Sequence, residues 1–211
     1  MDNMDDLIAS LSKEVTPLKP APHPLRLGLK WLAIATAYLA VTLSIFGVRP
    51  DLMQQFIKPV FSAEIMALCG IFIASALSAA VLSFPDLHQK RALAFAPLLM
   101  FALFVGVMGF AWHADQPPAP LPMHSFECTL SILMFSLLPA LAIFNVLRRY
   151  ASTHLSYSGI AALLFAFSTG ALWLRLYEAT DSVVHLIEWH YLPIMGVILV
   201  GGWLGKTVLK W

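Results

Sequence analysis

Charge is scarce in this sequence of 211 residues, because Asp, Glu, Lys and Arg together make up only 12% of it. An average soluble chain carries about 25%, so an ordinary soluble domain with a charged surface is excluded. The net charge of +1 also argues against direct binding of nucleic acid through a basic surface. The two cysteines, Cys69 and Cys128, are too few for a fold held by several disulfides.

Long apolar runs are abundant instead: hydrophobic residues make up 59% of the chain, and the mean hydropathy is +0.78. A helix needs about 20 residues to cross a hydrocarbon core about 30 Å thick. Six runs approach or reach that length: Trp31–Val48, Ala63–Phe84, Leu93–Trp112, Cys128–Val146, Gly159–Leu174 and Tyr191–Leu209. The sequence therefore predicts an all-α membrane protein, a bundle of six transmembrane helices embedded in a lipid bilayer.

For a few residues near the ends of the spans, the sequence also predicts a position or a packing role. We expect the fifth span to extend to Leu176, with Arg175 reaching out toward the membrane surface. Glu64 lies near the start of the second span and is expected at the membrane interface. Gly201 and Gly205 are four residues apart, a spacing that allows close helix packing.

Basic residues gather on one side of this predicted topology. Only Arg49, Lys58 and Arg175 of the thirteen Lys and Arg fall on the other side. The positive-inside rule therefore predicts that both termini are cytoplasmic. The outer side instead collects acids and histidines: Asp51, Glu64, Asp115, Glu127, Glu178, Asp181, Glu188, His113, His124, His185 and His190.

Residues 1–30 form the largest predicted stretch outside the membrane, and residues 31–211 form the transmembrane domain. The pattern in the first half of residues 1–30 predicts a short helix, with Asp5 or Asp6 as its cap and one apolar stripe. The stripe consists of Leu7, Ile8, Leu11 and Val15. Four prolines, Pro17, Pro20, Pro22 and Pro24, are expected to keep the chain extended up to Lys30. The stripe could dock on a cytosolic partner or lie on the bilayer or the protein's own loops.

A second candidate site lies in the outer loops. His124 and Cys128 are four residues apart and project from one face if the helix begins before His124. His185 and Glu188 are three apart, and His190 follows. Imidazole, thiolate and carboxylate groups bind divalent metals such as zinc or cadmium. The alternative is that these are solvated loop residues that make surface hydrogen bonds.

The order of several motifs resembles the NrsF-type family of bacterial membrane anti-sigma factors. The motifs are the opening Asp5-Asp6-Leu7-Ile8-Ala9-Ser10-Leu11, the proline-containing tether, Cys128 at the start of the fourth span, Leu147-Arg148-Arg149, Gly159 and the ending Gly201-Gly202-Trp203-Leu204-Gly205-Lys206-Thr207-Val208-Leu209-Lys210-Trp211. The resemblance covers nearly the whole chain. It implies a bacterial inner-membrane protein that holds an extracytoplasmic-function sigma factor and releases it under stress outside the membrane.

The resemblance also implies roles for particular residues. The amino-terminal helix, with Asp6, Leu7, Ile8, Leu11 and Val15, would belong to the sigma-binding surface. Members of the family commonly have two outer cysteines, of which Cys128 matches the first, while the second would fall near Glu178. This chain lacks that second cysteine, so an intramolecular disulfide switch is excluded.

Two sensing chemistries are left for this chain. Cys128 could bind a metal together with His124, Glu178 and His185 or His190, or it could be oxidised alone or pair with a second copy of the chain. Two further hypotheses involve no sigma factor. One is a small membrane redox or transport protein that uses the same cluster, and the other is a structural subunit of a membrane complex. Mid-span histidines and acids, which the redox or transport hypothesis needs, are absent from the predicted spans.

Overall fold

A computed structural model of the chain describes residues 2–14, 22–85, 90–114, 125–150 and 152–210, and all regular secondary structure in these ranges is helical. The elements in chain order are α1 (Asp2–Glu14), α2 (Pro24–Phe46), α3 (Leu52–Ile57), α4 (Pro59–Leu82), α5 (Arg91–Ala114), α6 (Ser125–Leu147), α7 (Leu155–Tyr177), α8 (Val183–His185), a π turn (Leu186–Tyr191) and α9 (Ile194–Val208).

Six helices in these ranges are long and apolar enough to cross a membrane, and each overlaps one of the six predicted spans. They are α2, α4, α5, α6, α7 and the continuous segment Val183–Val208. The predicted all-α, six-span architecture is therefore confirmed. We call the end of the bundle that carries Pro24 and Val208 the terminal end, and the opposite end, which carries Phe46 and Val183, the distal end.

The first span begins earlier than the sequence predicted. α2 starts at Pro24, seven residues before the predicted start at Trp31, so an extended tether up to Lys30 is wrong. Proline fits the first helical position because its missing N–H has no partner there in any helix. The ring of His23 caps the helix, since its Nδ1 accepts a hydrogen bond from the N–H of Leu25 at 3.3 Å. Residues 15–21, which include Val15, Pro17 and Pro20, lie outside the described ranges.

The last span also begins earlier, at Val183 rather than at Tyr191. Its first turns contain the π turn, in which the N–H of Leu192 donates to the carbonyl of Ile187 at 2.8 Å, five residues back. The prediction that His185 and His190 lie in a loop is therefore wrong, because both belong to helical turns. A π turn inserts one extra residue into the helix and is frequent at functional sites.

α4 and α7 form the centre of the bundle, and α2 lies at its edge. In the most apolar stretch, 83% of the residues of α7 and 67% of those of α4 are buried, against 11% in α2. The outward faces of the peripheral helices carry large exposed apolar side chains such as Ile45, Phe110 and Leu141. Such a surface suits a lipid environment, because soluble monomers rarely expose extended apolar patches.

Glycines allow α7 and α9 to touch backbone to backbone. A Cβ atom placed on Gly159 would lie 2.1 Å from the carbonyl oxygen of Gly201 and 2.7 Å from the Cα of Gly205. No larger side chain fits there without separating the helices. The close packing expected from the spacing of Gly201 and Gly205 is confirmed.

Arg175 and Glu64 do not lie where the sequence placed them. Arg175 is 3% exposed and Glu64 is 1% exposed, so both side chains are enclosed by the bundle and Arg175 does not extend outward. Arg175 Nε donates to Glu64 Oε1 at 2.8 Å, and the hydroxyl of Tyr191 also donates to this oxygen. Because α4 supplies a carboxylate inside the bundle, the guanidinium is paired there and has no need to extend outward.

Candidate functional site

The candidate site lies at the distal end, where α6, α7 and the last span meet. Cys128 is in the first turn of α6, and Glu178 follows the last residue of α7, with its N–H donating to the carbonyl of Leu174 at 2.7 Å. Residues 178–182 link α7 to α8, and we call them the strap. His185 and His190 come next, on α8 and the π turn.

Four side chains converge here on one point. Cys128 Sγ lies 3.3 Å and 3.5 Å from the two carboxylate oxygens of Glu178, to which the thiol donates. The Nε2 atoms of His190 and His185 lie 3.3 Å and 3.9 Å from the same carboxylate. One ligand atom from each of the four residues lies within 4.8 Å of every other. We call Cys128, Glu178, His185 and His190 the distal cluster.

Both imidazole rings of the distal cluster are buried, and their nearest polar contact is the 3.3 Å approach of His190 Nε2 to the Glu178 carboxylate. His185 is 0% exposed and His190 is 1% exposed. Among the residues that the structure describes, none of the four ring nitrogens makes a hydrogen bond of good geometry. Leaving a buried polar group unpaired costs about 1–3 kcal/mol, so these rings are poised for a ligand that accepts nitrogen lone pairs.

The dimensions of the distal cluster suit a small tetrahedral cation after modest contraction. Zinc bonds of about 2.0–2.3 Å to nitrogen, oxygen and sulfur place ligand atoms about 3.3–3.8 Å apart. The largest separation in the cluster is within 4.8 Å. A bound ion would therefore draw these ligand atoms closer together by up to about 1 Å.

Glu178 is an anion at neutral pH. Burial opposes its ionisation, but the neighbouring His190 ring, the Thr180 hydroxyl and the Cys128 thiol outweigh that effect and lower the pKa of Glu178 to about 2. The Thr180 hydroxyl donates to Glu178 Oε1 at 2.8 Å. The carboxylate is thus held in the charged form that a divalent cation requires.

The structure brings together four of the five predicted metal ligands. The fifth, His124, lies outside the described ranges. Glu188, which helical spacing placed beside His185, is exposed and does not belong to the cluster. His190 takes its place because the π turn puts residues five apart, rather than three or four, on one face; the two ring centroids are 5.1 Å apart.

A network of ion pairs adjoins the distal cluster, and the sequence did not predict it. Asp181, in the strap, accepts from Arg49 Nη1 at 3.0 Å and from Arg175 Nη1 at 3.2 Å. Gln55 Nε2 donates to Asp181 at 2.7 Å and to Asp51 at 2.7 Å. Burial opposes ionisation of Asp181, yet the hydrogen bond from Arg49 and the charge of Arg175 hold the pKa of Asp181 below its usual value.

The network also includes the third basic residue that the sequence placed on this side. Lys58 Nζ lies 3.7 Å from Asp181 Oδ2. Arg49 is the residue that ties α2 into the network: its Nε and Nη2 hold Asp51 at 2.8 Å and 2.9 Å, and its N–H donates to the carbonyl of Leu176 at 3.0 Å. The one feature of the sequence that could have indicated this network is that all three outer basic residues lie near acids along the chain.

The amino-terminal helix presents its apolar stripe outward. The exposed fractions are 54% for Leu7, 60% for Ile8 and 54% for Leu11. Asp6 is exposed as well, and Val15 lies outside the described residues. A helix of 13 residues is marginal in water, so this stripe needs a surface to pack on.

Comparison with known proteins assigns this chain to a family. The model of the family described as "NrsF: Negative regulator of sigma F" matches residues 11–211. The chain belongs to this family. It is also 29% identical over 213 residues to the "Anti-sigma-F factor NrsF" of Caulobacter vibrioides (strain NA1000 / CB15N), covering 98% of this chain and 99% of that protein. No solved structure matches. Membership supports a negative regulator of a sigma factor over the transport, redox and structural-subunit hypotheses.

Proposed function

We propose that this protein is a bacterial inner-membrane anti-sigma factor that sequesters an extracytoplasmic-function sigma factor through α1. In this proposal both termini lie in the cytoplasm and the distal end faces outward. A heavy metal bound at the distal cluster, zinc or cadmium being the chemical types, releases the sigma factor. The observation that carries the proposal is the convergence of one thiol, one carboxylate and two orphaned imidazoles on one point.

The sigma-binding part of the proposal is supported by the exposed stripe of α1. An amphipathic helix that leaves Leu7, Ile8 and Leu11 more than half exposed is suited to lie in an apolar groove of a partner. Because these side chains are a little more than half exposed, burying the rest contributes about half of the 1.5–3 kcal/mol expected for full burial of each, before the cost of ordering is subtracted. Three such side chains together contribute a few kcal/mol, a substantial share of the free energy of binding.

The sensing part rests on the chemistry of the distal cluster. Cys128 and Glu178 already share a proton through the thiol–carboxylate contact, and a metal would displace that proton when it binds the thiolate. Glu178 lies near the place where the family resemblance expects a second cysteine, so an oxygen ligand would substitute for a sulfur ligand. Oxidation of Cys128, alone or with the Cys128 of a second copy, is the alternative signal at the same residue.

The coupling part follows from the strap. Glu178 of the distal cluster and Asp181 of the ion-pair network are three residues apart on it. Contraction of the cluster pulls on the strap and changes the hydrogen bonds between Asp181 and Arg49, which lies three residues after the end of α2. Since α2 leads back to α1, a shift of α2 carries the signal to the sigma-binding helix.

Co-purification tests the sigma-binding role. The full-length protein with Leu7→Asp and Leu11→Asp should lose a co-expressed candidate sigma factor, because two charges interrupt the stripe. A control with Ala9→Asp and Ser10→Asp adds the same charge to the opposite face of α1 and should retain it. Sigma binding by the first variant at an unchanged membrane level would refute the role given to α1.

A metal titration tests the sensing role separately. Detergent-purified protein is titrated with zinc or cadmium in competition with a chromophoric chelator. Cys128→Ser should bind well over tenfold more weakly, whereas Cys69→Ser, the other cysteine, should bind like the wild type. Unchanged affinity in Cys128→Ser would eliminate the metal site and leave oxidation of Cys128 as the signal.

A further inference from the structure

A groove runs between α2 and α6 in the half of the bundle at the terminal end. Its volume is about 460 Å³, and its inner wall includes Trp31 and Ala35 of α2, Ile143 of α6 and Phe165 of α7. All four of these are buried, so they form a solid wall rather than a gap in the packing. The groove plays no part in the proposed sensing or sigma binding.

The groove has the length of one membrane leaflet. It is closed at mid-bundle, where the hydroxyl of Tyr38 on α2 donates to the carbonyl of Phe135 on α6 at 3.2 Å. From there its lining on the α6 side extends from Leu138 to Arg149. The eleven steps between these two residues, at about 1.5 Å each, give roughly 16 Å, which is about half of a hydrocarbon core of about 30 Å.

Charge is concentrated at one end of the groove. Lys30 and Arg149, both exposed, line its mouth at the terminal end, and nearly all of the remaining lining is apolar. A basic pair above an apolar channel complements a molecule with one anionic head and a long apolar tail. Basic pockets between transmembrane helices on the cytoplasmic side bind acidic lipid headgroups in this way.

We propose that this groove binds one acidic phospholipid from the leaflet at the terminal end. The phosphate lies between Lys30 and Arg149, and an acyl chain lies along the groove against Trp31 and Ile143. A transmembrane helix of a second copy or of another protein would need a groove through both leaflets. The contact between Tyr38 and Phe135 closes this groove at half that depth.

Native mass spectrometry of the full-length protein in detergent tests the proposal. The probes are phosphatidylglycerol and phosphatidylcholine with the same acyl chains. We expect the wild type to retain phosphatidylglycerol in preference to phosphatidylcholine. Lys30→Gln with Arg149→Gln should weaken phosphatidylglycerol binding by about thirtyfold, or about 2 kcal/mol for two basic groups. The control Arg148→Gln with Lys206→Gln removes the same charge from the same end outside the groove and should leave binding unchanged.

A second variant addresses the apolar part of the groove. Ala142 is exposed and lines the groove, so Ala142→Trp should fill the channel and reduce the binding of phosphatidylglycerol while Lys30 and Arg149 are still present. Equal losses in the two charge variants, or equal retention of the two lipids by the wild type, would overturn the proposal. A wild-type dimer that Ala142→Trp converts to a monomer would also overturn it, because the groove would then be an interface between copies.

Discussion

The pair formed by Glu64 and Arg175 offers the sharpest test of how the bundle is held together. The side chains are 2% and 4% exposed, and the Arg175 Nε to Glu64 Oε1 distance is 2.8 Å. Glu64→Gln keeps the shape and one acceptor oxygen but removes the negative charge. Arg175 then retains Asp181 at 3.2 Å, a carboxylate that is 36% exposed and already shared with Arg49.

The expected cost follows from the burial of this pair. Breaking a buried ion pair by removing one partner costs about 3–5 kcal/mol, and the contact with Asp181 that remains favours the lower figure. A loss of about 3 kcal/mol lowers the folding equilibrium constant by about two orders of magnitude. At roughly 2–4 °C per kcal/mol for a chain of this size, the melting temperature falls by about 6–12 °C.

Thermal unfolding in detergent, followed by tryptophan fluorescence, measures this change. Glu188→Gln removes an exposed acid from the same end and should shift the melting temperature by less than about 2 °C. The double variant Glu64→Leu with Arg175→Met replaces both charges by apolar groups and should lie closer to the wild type than Glu64→Gln does. A Glu64→Gln variant that melts with the wild type, or a double variant that is the least stable of all, would refute the reasoning.

Three further predictions concern the helix contact and the strap. Gly159→Val should strongly destabilise the protein in the same melting assay, because its Cβ would overlap Gly201, whereas Gly196→Ala, with open space around it, should not. Asp181→Asn should preserve metal affinity in the chelator titration but abolish metal-dependent release of the sigma factor. The pKa of Glu178 is about 2 in the folded state against an ordinary 4.5, so its stabilising effect is complete above about pH 4.5 and is lost as the pH falls toward 2. The stability of metal-free Glu178→Gln should therefore fall less than that of the wild type between pH 5 and pH 3.

The architecture could be predicted from the sequence because it depends on composition over long stretches. A run of about 20 apolar residues with almost no charge has few structures open to it other than a membrane helix. The ends of the helices were less accessible. Pro24 is compatible with both an extended chain and a first helical turn, and only the capping contact of His23 on Leu25 decides for the helix.

The candidate site was predictable in its chemistry but not in its arrangement. Cysteine and histidine are few on the predicted outer side of this chain, so Cys128, His185 and His190 could be singled out by type alone. Which of these residues share one face of the helix could not be predicted, since a pattern with a period of 3.6 residues pairs His185 with Glu188. The π turn, which no residue pattern in the segment indicates, pairs His185 with His190 instead.

The ion-pair network could not be derived from the sequence because its partners lie far apart along the chain. Arg49 and Asp181 are 132 residues apart, and Glu64 and Arg175 are 111 apart. In a bilayer a lone charged side chain is costly, so each arginine must find a carboxylate in the bundle. That argument requires that partners exist but does not identify them.

The position of α2 explains why the distal cluster could act on it in particular. α2 is the least buried of the six spanning helices, so less packing has to be rearranged when it moves than for α4 or α7. Arg49, at its distal side, is held by Asp181 at 3.0 Å and 3.2 Å, distances that leave little slack in a strap drawn in by about 1 Å at Glu178. Because hydrogen bonds weaken steeply once stretched beyond this range, the contraction that we propose for the cluster would either move Arg49 or release it. Either outcome changes the hold on the one helix that leads to α1.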